Sequence, residues 1–208
     1  MMIRFPLPIG ALLVALGALL VAPGAILVAL GAQAAPKIGA PAPDFTLNDL
    51  TGKPVRLTDF KGRHVVLEWT NPHCPYVAKH YDTGNLPALQ KTYAAKHVAW
   101  LLISSTRPGH SEYADEKQTA QWLNEKKGAP TGTMLDPDGK VGRLYEARTT
   151  PHMFVIDPKG TLIFAGGIDD KRSWRHEEVK TANNFVRAAL EESLAGKPVT
   201  TATAIPYG

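Results

Sequence analysis

Short, continuously apolar runs recur along this chain, and they predict the strands of a buried sheet. Residues 64–70 and 98–104 are each bounded by polar residues, which is typical of parallel strands covered on both faces. Residues 157–160 are Asp-Pro-Lys-Gly, a turn signature that joins two further strands into a hairpin. The other predicted strands are 133–135, 152–156 and 161–165, with an N-terminal hairpin formed by 45–47 and 55–57.

Stretches with the apolar spacing or composition of helices lie between and after these strands. Residues 177–194 carry an apolar stripe on one face, and residues 75–97 predict a long helix with a kink at Pro87. Two further helices are predicted at 111–127 and 141–147. Strands that alternate with helices, followed by a hairpin and a last helix, favour an α/β sandwich around one mixed sheet.

Residues 1–34 have the composition of a secretory signal peptide. Arg4 supplies a basic start, residues 9–30 are almost continuously apolar, and Ala32-Gln33-Ala34 is a small-residue cleavage pattern. The apolar run is also long enough to stay as a single N-terminal membrane anchor. In both cases the rest of the chain is expected outside the cytoplasm, in the periplasm or secreted. Membrane contact is expected only if this segment is retained.

The composition divides the remaining chain into three parts. Residues 35–43 are rich in Pro, Ala and Gly and predict a linker, and residues 198–208 predict an irregular tail. Residues 44–197 hold every predicted strand and helix, and a single domain of this size can bury a proper core.

Charge and motif content exclude several classes of function. The 208 residues carry a formal net charge of +4, with both signs spread out and no basic cluster among aromatic residues. Nucleic acid is therefore not an expected partner. The sequence has neither a phosphate-binding glycine loop nor a Ser/His/Asp pattern for hydrolysis, and no cofactor is expected.

The only cysteine, Cys74, follows an apolar strand and a Pro-containing turn, at the point where a helix should begin. Unpaired backbone N–H groups and the positive end of the helix dipole favour a thiolate there. The position is typical of a redox nucleophile. A dithiol cycle needs a second thiol, however, and the chain has none, so an internal disulfide is excluded.

Four features in order along residues 37–196 resemble the thioredoxin superfamily, and more narrowly the redoxins grouped with alkyl hydroperoxide reductase and thiol-specific antioxidant proteins. Residues 43–47 resemble the opening P-x-F-x-L strand, and Cys74 stands at the first position of the C-x-x-C site. Residues 149–151 resemble the loop with a cis-proline, and a hairpin and helix follow. The resemblance implies a thioredoxin-like α/β/α sandwich with a central mixed sheet.

The same resemblance assigns roles to two further residues. Glu68 lies where thioredoxins keep a buried acid beneath the active site, and such a carboxylate has a raised pKa and can shuttle a proton. The alternative is a strand-end Glu that lies in solvent or pairs with a lysine. Pro151 matches the cis-proline opposite the cysteine, whose loop offers main-chain groups to an extended peptide. The alternative is an ordinary trans proline at the start of a strand.

The chain departs from the family at Val77, where the second cysteine is expected, so three hypotheses remain. Cys74 forms mixed disulfides that an external thiol resolves, or a peroxide oxidises it as in a one-cysteine peroxiredoxin, or the domain only binds a peptide or metal. Peroxiredoxins orient peroxide with a Thr and a later Arg. Here Thr70 is one residue out of register, and Arg148 is near the place where Pro151 replaces the Arg. The first hypothesis is therefore preferred.

Two histidines are candidates to support the thiol. His73 is adjacent to Cys74, and His152 follows the loop that should pack against it, where it would stabilise a thiolate as an ion pair. Cysteine with two histidines is also a ligand set for copper or zinc, but the preferred hypothesis of a thiol oxidoreductase assigns no metal. Lys79 and His80 predict the solvated face of a helix.

The sequence thus predicts an exported thiol oxidoreductase or redoxin. Its catalytic residues are Cys74, Glu68 and Pro151. The expected partners are an external thiol or thioredoxin-like reductant, and a protein disulfide or a peroxide as substrate.

Overall fold

The computed structural model describes residues 1–3 and 36–208, so the predicted signal segment lies almost entirely outside the described residues. The strands of the second range are β1 (Thr46–Asn48), β2 (Pro54–Arg56), β3 (Val65–Trp69), β4 (Ala99–Ser104), β5 (Gly132–Leu135), β6 (His152–Ile156) and β7 (Leu162–Gly166). The helices are α1 (Pro75–Asp82), α2 (Asn85–Ala94), α3 (Glu116–Glu125), α4 (Lys140–Leu144) and α5 (Phe185–Leu194). None of these helices combines the length and apolar character that a bilayer span requires.

Five strands form a mixed sheet in the order β5-β4-β3-β6-β7. The central strand β3 pairs parallel with β4 and antiparallel with β6, which places Trp69 opposite His152. Strand β5 extends the parallel side, and β7 closes the antiparallel hairpin with β6. Strands β1 and β2 pair separately as the predicted N-terminal hairpin. The mixed sheet and the α/β class predicted from the sequence are confirmed.

The sheet is covered on both faces, which explains why every residue of β3 is buried, Glu68 included. Successive side chains of a strand point to opposite faces. Val66 therefore packs in a core that also draws on α1, α2, α3 and α5, whereas Leu67 packs in a second core with α4 and the N-terminal hairpin region. Cys74 belongs to the first of these cores. The thiol site thus lies on the face that carries most of the helices.

Two helices predicted as continuous are each divided. The predicted kink at Pro87 is wrong: α1 ends at Asp82, and Gly84 has a left-handed backbone with φ of 72° before α2 begins. Pro87 lies in the first turn of α2, where a missing N–H costs no intrahelical bond. The predicted helix 177–194 is likewise a 3₁₀ turn, His176–Thr181, followed by α5, which begins where the Asn184 side chain accepts from the Arg187 N–H at 2.8 Å.

Both flanking segments pack onto the domain. In the predicted linker, the Gly39 N–H donates to the Leu162 carbonyl at 2.8 Å and the Ala42 N–H donates to the Gly160 carbonyl at 2.9 Å. The tail after residue 197 has no helix and makes one isolated bridge, from Thr203 to Ala165. Its Tyr207 is 7% exposed and belongs to the first core. The tail is therefore packed against the domain although it contains no regular element.

Candidate functional site

Cys74 occupies the N-cap of α1, directly after the turn that follows β3. Its own N–H donates to the Asn71 carbonyl at 3.1 Å, and its carbonyl accepts the first helical bond from the Ala78 N–H at 2.9 Å. Pro75 is at the first helical position, where its fixed φ suits the helix and its missing N–H is not needed. The local sequence thus fixes the cysteine at the end of the helix that points toward the cleft.

The loop before β6 faces this thiol. The Thr150–Pro151 peptide bond is cis, as the resemblance implied. The Cys74 Sγ donates to the Thr150 carbonyl at 3.0 Å, so the cysteine and the proline loop are in direct contact. Val77, where a second cysteine is expected, is fully buried in the first core and carries no reactive group.

An open cleft of about 450 Å³ gives access to Cys74. Its walls include Trp69, Tyr76, Thr150 and Gly208. The cysteine itself is 9% exposed, so it is almost buried in the wall of this cleft. This cleft combines a nucleophile, main-chain polar groups and aromatic walls, which is the usual composition of a binding site.

Glu68 lies in β3, the strand before the turn that leads to Cys74, and it is fully buried. Its Oε1 accepts from the Tyr81 hydroxyl at 3.0 Å, and its Oε2 accepts from the Trp100 Nε1–H at 2.7 Å. The Gln90 amide donates to both Glu68 Oε2, at 3.4 Å, and the Tyr81 hydroxyl, at 3.0 Å. Burial raises the pKa of Glu68 to about 7, although these donors act in the opposite direction. The position therefore matches the buried acid that the resemblance implied.

The raised pKa of Glu68 predicts that the stabilising contribution of this residue declines as the pH rises. The unfolded chain releases this proton near the ordinary value of 4.5, whereas the folded protein keeps it until about 7. Between these values the folded state keeps a proton on Glu68 that the unfolded chain has released, so the contribution of Glu68 to the free energy of unfolding falls by about 3 kcal/mol as the pH rises and levels off above 7. Urea unfolding of wild type and Glu68→Gln from pH 4 to 8 measures this contribution as the difference in unfolding free energy between the two proteins. Gln serves as the reference because it mimics the protonated acid and does not titrate. Parallel pH profiles for the two proteins would exclude this account.

The two histidines are placed differently from each other. His73 is exposed in the turn, with its backbone N–H bound to the Asn71 side chain at 2.8 Å. His152 is buried at the start of β6, where its Nδ1 accepts from the Arg148 N–H at 3.3 Å and its ring packs on Phe154. Burial, and then the charge of Arg148, lower the pKa of His152 to about 4. A neutral imidazole lacks the charge that the ion-pair hypothesis requires.

Thr70 and Arg148 both line the cleft but differ in exposure. The Thr70 side chain is buried, and its hydroxyl has no hydrogen-bond partner in the part of the chain that the structure describes. Arg148 is exposed and its guanidinium lies 3.4 Å from the Glu146 carboxylate. Asn71, at the position of the peroxiredoxin Thr, donates its amide to the Thr106 hydroxyl at 3.0 Å. The side chains nearest to the peroxide-binding positions therefore already have protein partners, except for Thr70.

No metal-binding arrangement accompanies the thiol. Among residues 1–3 and 36–208, no group of three or more His, Cys, Asp or Glu side chains is placed to hold a metal ion. Cys74, His73 and His152 do not form such a group.

Two residues of α1 belong to a buried polar cluster that the sequence did not predict. Lys79 and His80, predicted to be solvated, are fully buried, and Lys79 donates to the Lys171 carbonyl at 2.6 Å with the Asp169 carboxylate 3.7 Å away. Burial, and then the nearby Lys79, lower the pKa of His80 to about 3, so it is neutral. Tyr207 completes the cluster by donating its hydroxyl to Asp169. Lys79 and its carbonyl partner Lys171 are 92 positions apart in the chain, and no local sequence pattern indicates that they meet.

Comparison with known proteins defines the class to which this fold and site belong. A solved structure of an uncharacterized conserved protein from Geobacillus kaustophilus superposes with a TM-score of 0.68 at 26% identity, covering 82% of this chain and 87% of that one. A putative thiol:disulfide interchange protein DsbE from Chlorobium tepidum shares the fold, with a TM-score of 0.53 at 24% identity over 63% of this chain and 85% of that one. The protein therefore has a thioredoxin-like fold.

The family follows from the sequence. The model of the AhpC/TSA family matches residues 38–165, more than half of the chain, and the chain belongs to that family. Among curated proteins it is similar to thiol-disulfide oxidoreductase ResA of Geobacillus thermodenitrificans. The two are 28% identical over 130 residues, which cover 62% of this chain and 69% of the relative. The resemblance to redoxins is thus confirmed.

Proposed function

We propose that this protein is an exported thiol oxidoreductase in which Cys74 is the single reactive group and an external thiol resolves its mixed disulfide. The observation that carries the proposal is the contact between the Cys74 Sγ and the Thr150 carbonyl, 3.0 Å apart, at the base of an open cleft. The similarity to ResA, a protein named as a thiol-disulfide oxidoreductase, supports the same chemistry. Periplasmic or secreted location is part of this proposal.

The proposed reaction is thiol–disulfide exchange in two steps. Cys74 loses its proton, its bond to the Thr150 carbonyl breaks, and the thiolate attacks one sulfur of the substrate disulfide. The second substrate sulfur leaves as a thiolate and takes up a proton. A thiolate from an external thiol or thioredoxin-like reductant then attacks the substrate sulfur of the mixed disulfide, which releases Cys74 as a thiolate and leaves a disulfide between substrate and external thiol. A second external thiol reduces that disulfide and becomes oxidised with the first. The two reducing electrons come from the external thiols, and none remain on the protein.

Glu68 and Pro151 are proposed to support this exchange without contacting the transferred sulfur. A carboxyl with a pKa of about 7 can hold or release a proton at neutral pH, which suits a group that buffers the loss and return of the thiol proton. Pro151 fixes the loop in which the Thr150 main chain faces Cys74. The assignment of Pro151 rests on the contact between its loop and the thiol, and that of Glu68 rests on its burial and raised pKa.

Reaction of the native protein with excess Ellman's reagent tests the proposal. We expect release of one equivalent of the coloured thiolate per chain, and a mass gain of one adduct that maps to the peptide containing Cys74. The reaction should be complete under native conditions because Cys74 lines the open cleft. An adduct that forms only after unfolding in urea would contradict the proposal.

Peroxide reduction is the second candidate because AhpC/TSA is the family that matches. Its test is a peroxide titration followed by trapping of a sulfenic acid on Cys74. Trapping that saturates at micromolar peroxide would favour the peroxidase. The absence of Arg at position 151 and the Arg148–Glu146 contact favour the disulfide reaction instead.

A further inference from the structure

The tail places main chain directly on the loop before β6, which faces Cys74. A Cβ added at Gly208 would overlap the Thr150 carbonyl and would lie 2.7 Å from the Thr150 nitrogen. No side chain fits there without movement, so the backbone of residue 208 lies against the backbone of residue 150. Gly208 is also part of the cleft wall beside Cys74.

The approach of the tail depends on further close backbone contacts. A Cβ at Gly166 would overlap Ala204, and one at Gly167 would lie 2.8 Å from the Ile205 carbonyl. The Ala165 N–H donates to the Ala202 carbonyl at 3.0 Å. The tail therefore follows the outer edge of β7 to reach the cleft, and the two glycines permit this path.

Tyr207 anchors the end of the tail in the core. Its ring meets the Tyr76 ring at 5.8 Å between centroids and has the Lys79 ammonium 5.4 Å from its centre. Its hydroxyl donates to Asp169 and lies 3.3 Å from the His80 Nε2. A tail held by a 7% exposed tyrosine and a buried ionic cluster is a fixed wall of the cleft.

We propose that residues 203–208 are a specificity element that covers the Thr150 main chain and so favours small disulfides over extended polypeptide disulfides at Cys74. This inference rests on the proposed function. An extended peptide that paired along Thr150 would need the place that Gly208 occupies. A small disulfide needs only to reach Cys74 through the cleft.

The test compares two substrates, hydroxyethyl disulfide and an extended peptide carrying a mixed disulfide. In Gly208→Ala the new methyl group must push the tail away from Thr150, so the ratio of the peptide rate to the small-disulfide rate should rise about tenfold. Gly132→Ala is the matched control because Gly132 lies in β5, outside the lining of the cleft, and a Cβ there would lie at an ordinary 3.4 Å from the Leu101 side chain. It should leave the ratio unchanged. Tyr207→Phe removes the bond to Asp169 and should raise the ratio by a smaller factor.

Binding separates failure of this inference from failure of the proposed function. The same peptide, with Ser in place of its cysteine, is titrated against Cys74→Ser and Cys74→Ser/Gly208→Ala, where no exchange occurs. About tenfold tighter binding to the double variant supports the specificity element even if Cys74 proves unreactive. Equal binding together with an unchanged rate ratio overturns it. A rise in both rates by the same factor also overturns it, since the tail would then only shield the sulfur.

Discussion

Cys74→Ser is expected to lower disulfide turnover to the rate of the reductant alone, a loss of at least about a thousandfold, as for removal of other covalent nucleophiles. Exchange requires a sulfur nucleophile, and the 208 residues contain no second thiol that could replace this one. The assay is reduction of hydroxyethyl disulfide with excess external thiol. Because the serine hydroxyl can also donate to the Thr150 carbonyl, the variant should keep the fold of the wild type.

The control for this loss is the folded state of the variant. Its unfolding free energy should lie within about 1 kcal/mol of wild type, since the exchange of sulfur for oxygen removes little buried apolar surface. Equal turnover by folded wild type and folded Cys74→Ser would reject the hypothesis of a thiol enzyme. The remaining hypothesis would be a non-catalytic binding module.

Lys79→Met should produce the largest loss of stability. Lys79 is fully buried and its ammonium faces the buried Asp169 carboxylate at 3.7 Å. Without the ammonium, Asp169 retains the Tyr207 hydroxyl but loses its cation, and one of its oxygens already lacks a hydrogen-bond partner among the described residues. Breaking one side of a buried ion pair costs about 3–5 kcal/mol. We expect urea unfolding to show a loss in this range.

Lys96→Met is the matched control for the buried pair. Lys96 also pairs with a carboxylate, Glu191, at 2.8 Å, but both side chains are about half exposed. Exposed pairs contribute at most about 1 kcal/mol, so this variant should be close to wild type. A loss of under about 1 kcal/mol in Lys79→Met, equal to that of the control, would show that the buried cluster does not hold the domain together.

The sequence was sufficient for the sheet and the thiol because their signals are local. A run that is apolar except for Glu68 predicts β3, and the Pro-containing turn after it predicts a helix start at Cys74. The cis peptide at Pro151 and the burial of Glu68 agree with the family resemblance, which supplied what periodicity could not. Gly84 has a left-handed backbone, which is an ordinary way for a helix to end. The sequence therefore contained a signal for a break at Gly84 as well as the one for a kink at Pro87.

The remaining features depend on contacts between distant parts of the chain. Lysine is usually exposed to solvent, and Lys79 is buried only because the fold places Asp169 and Tyr207 around it. The tail likewise contains no regular pattern, because its position depends on close approach to Gly166 and Gly167. Such tertiary contacts override local propensity, and they determine which side of the cleft remains open.

The lifetime of a preformed Cys74 mixed disulfide, followed by intact mass without added thiol, tests the central claim most directly. Val77→Cys supplies the matched comparison, because it restores a second thiol at the position where the family keeps one. Wild type should hold its adduct until an external thiol is added and then lose it with release of free Cys74, whereas Val77→Cys should expel the adduct unaided. Spontaneous loss of the adduct from the wild-type chain would contradict resolution by an external thiol.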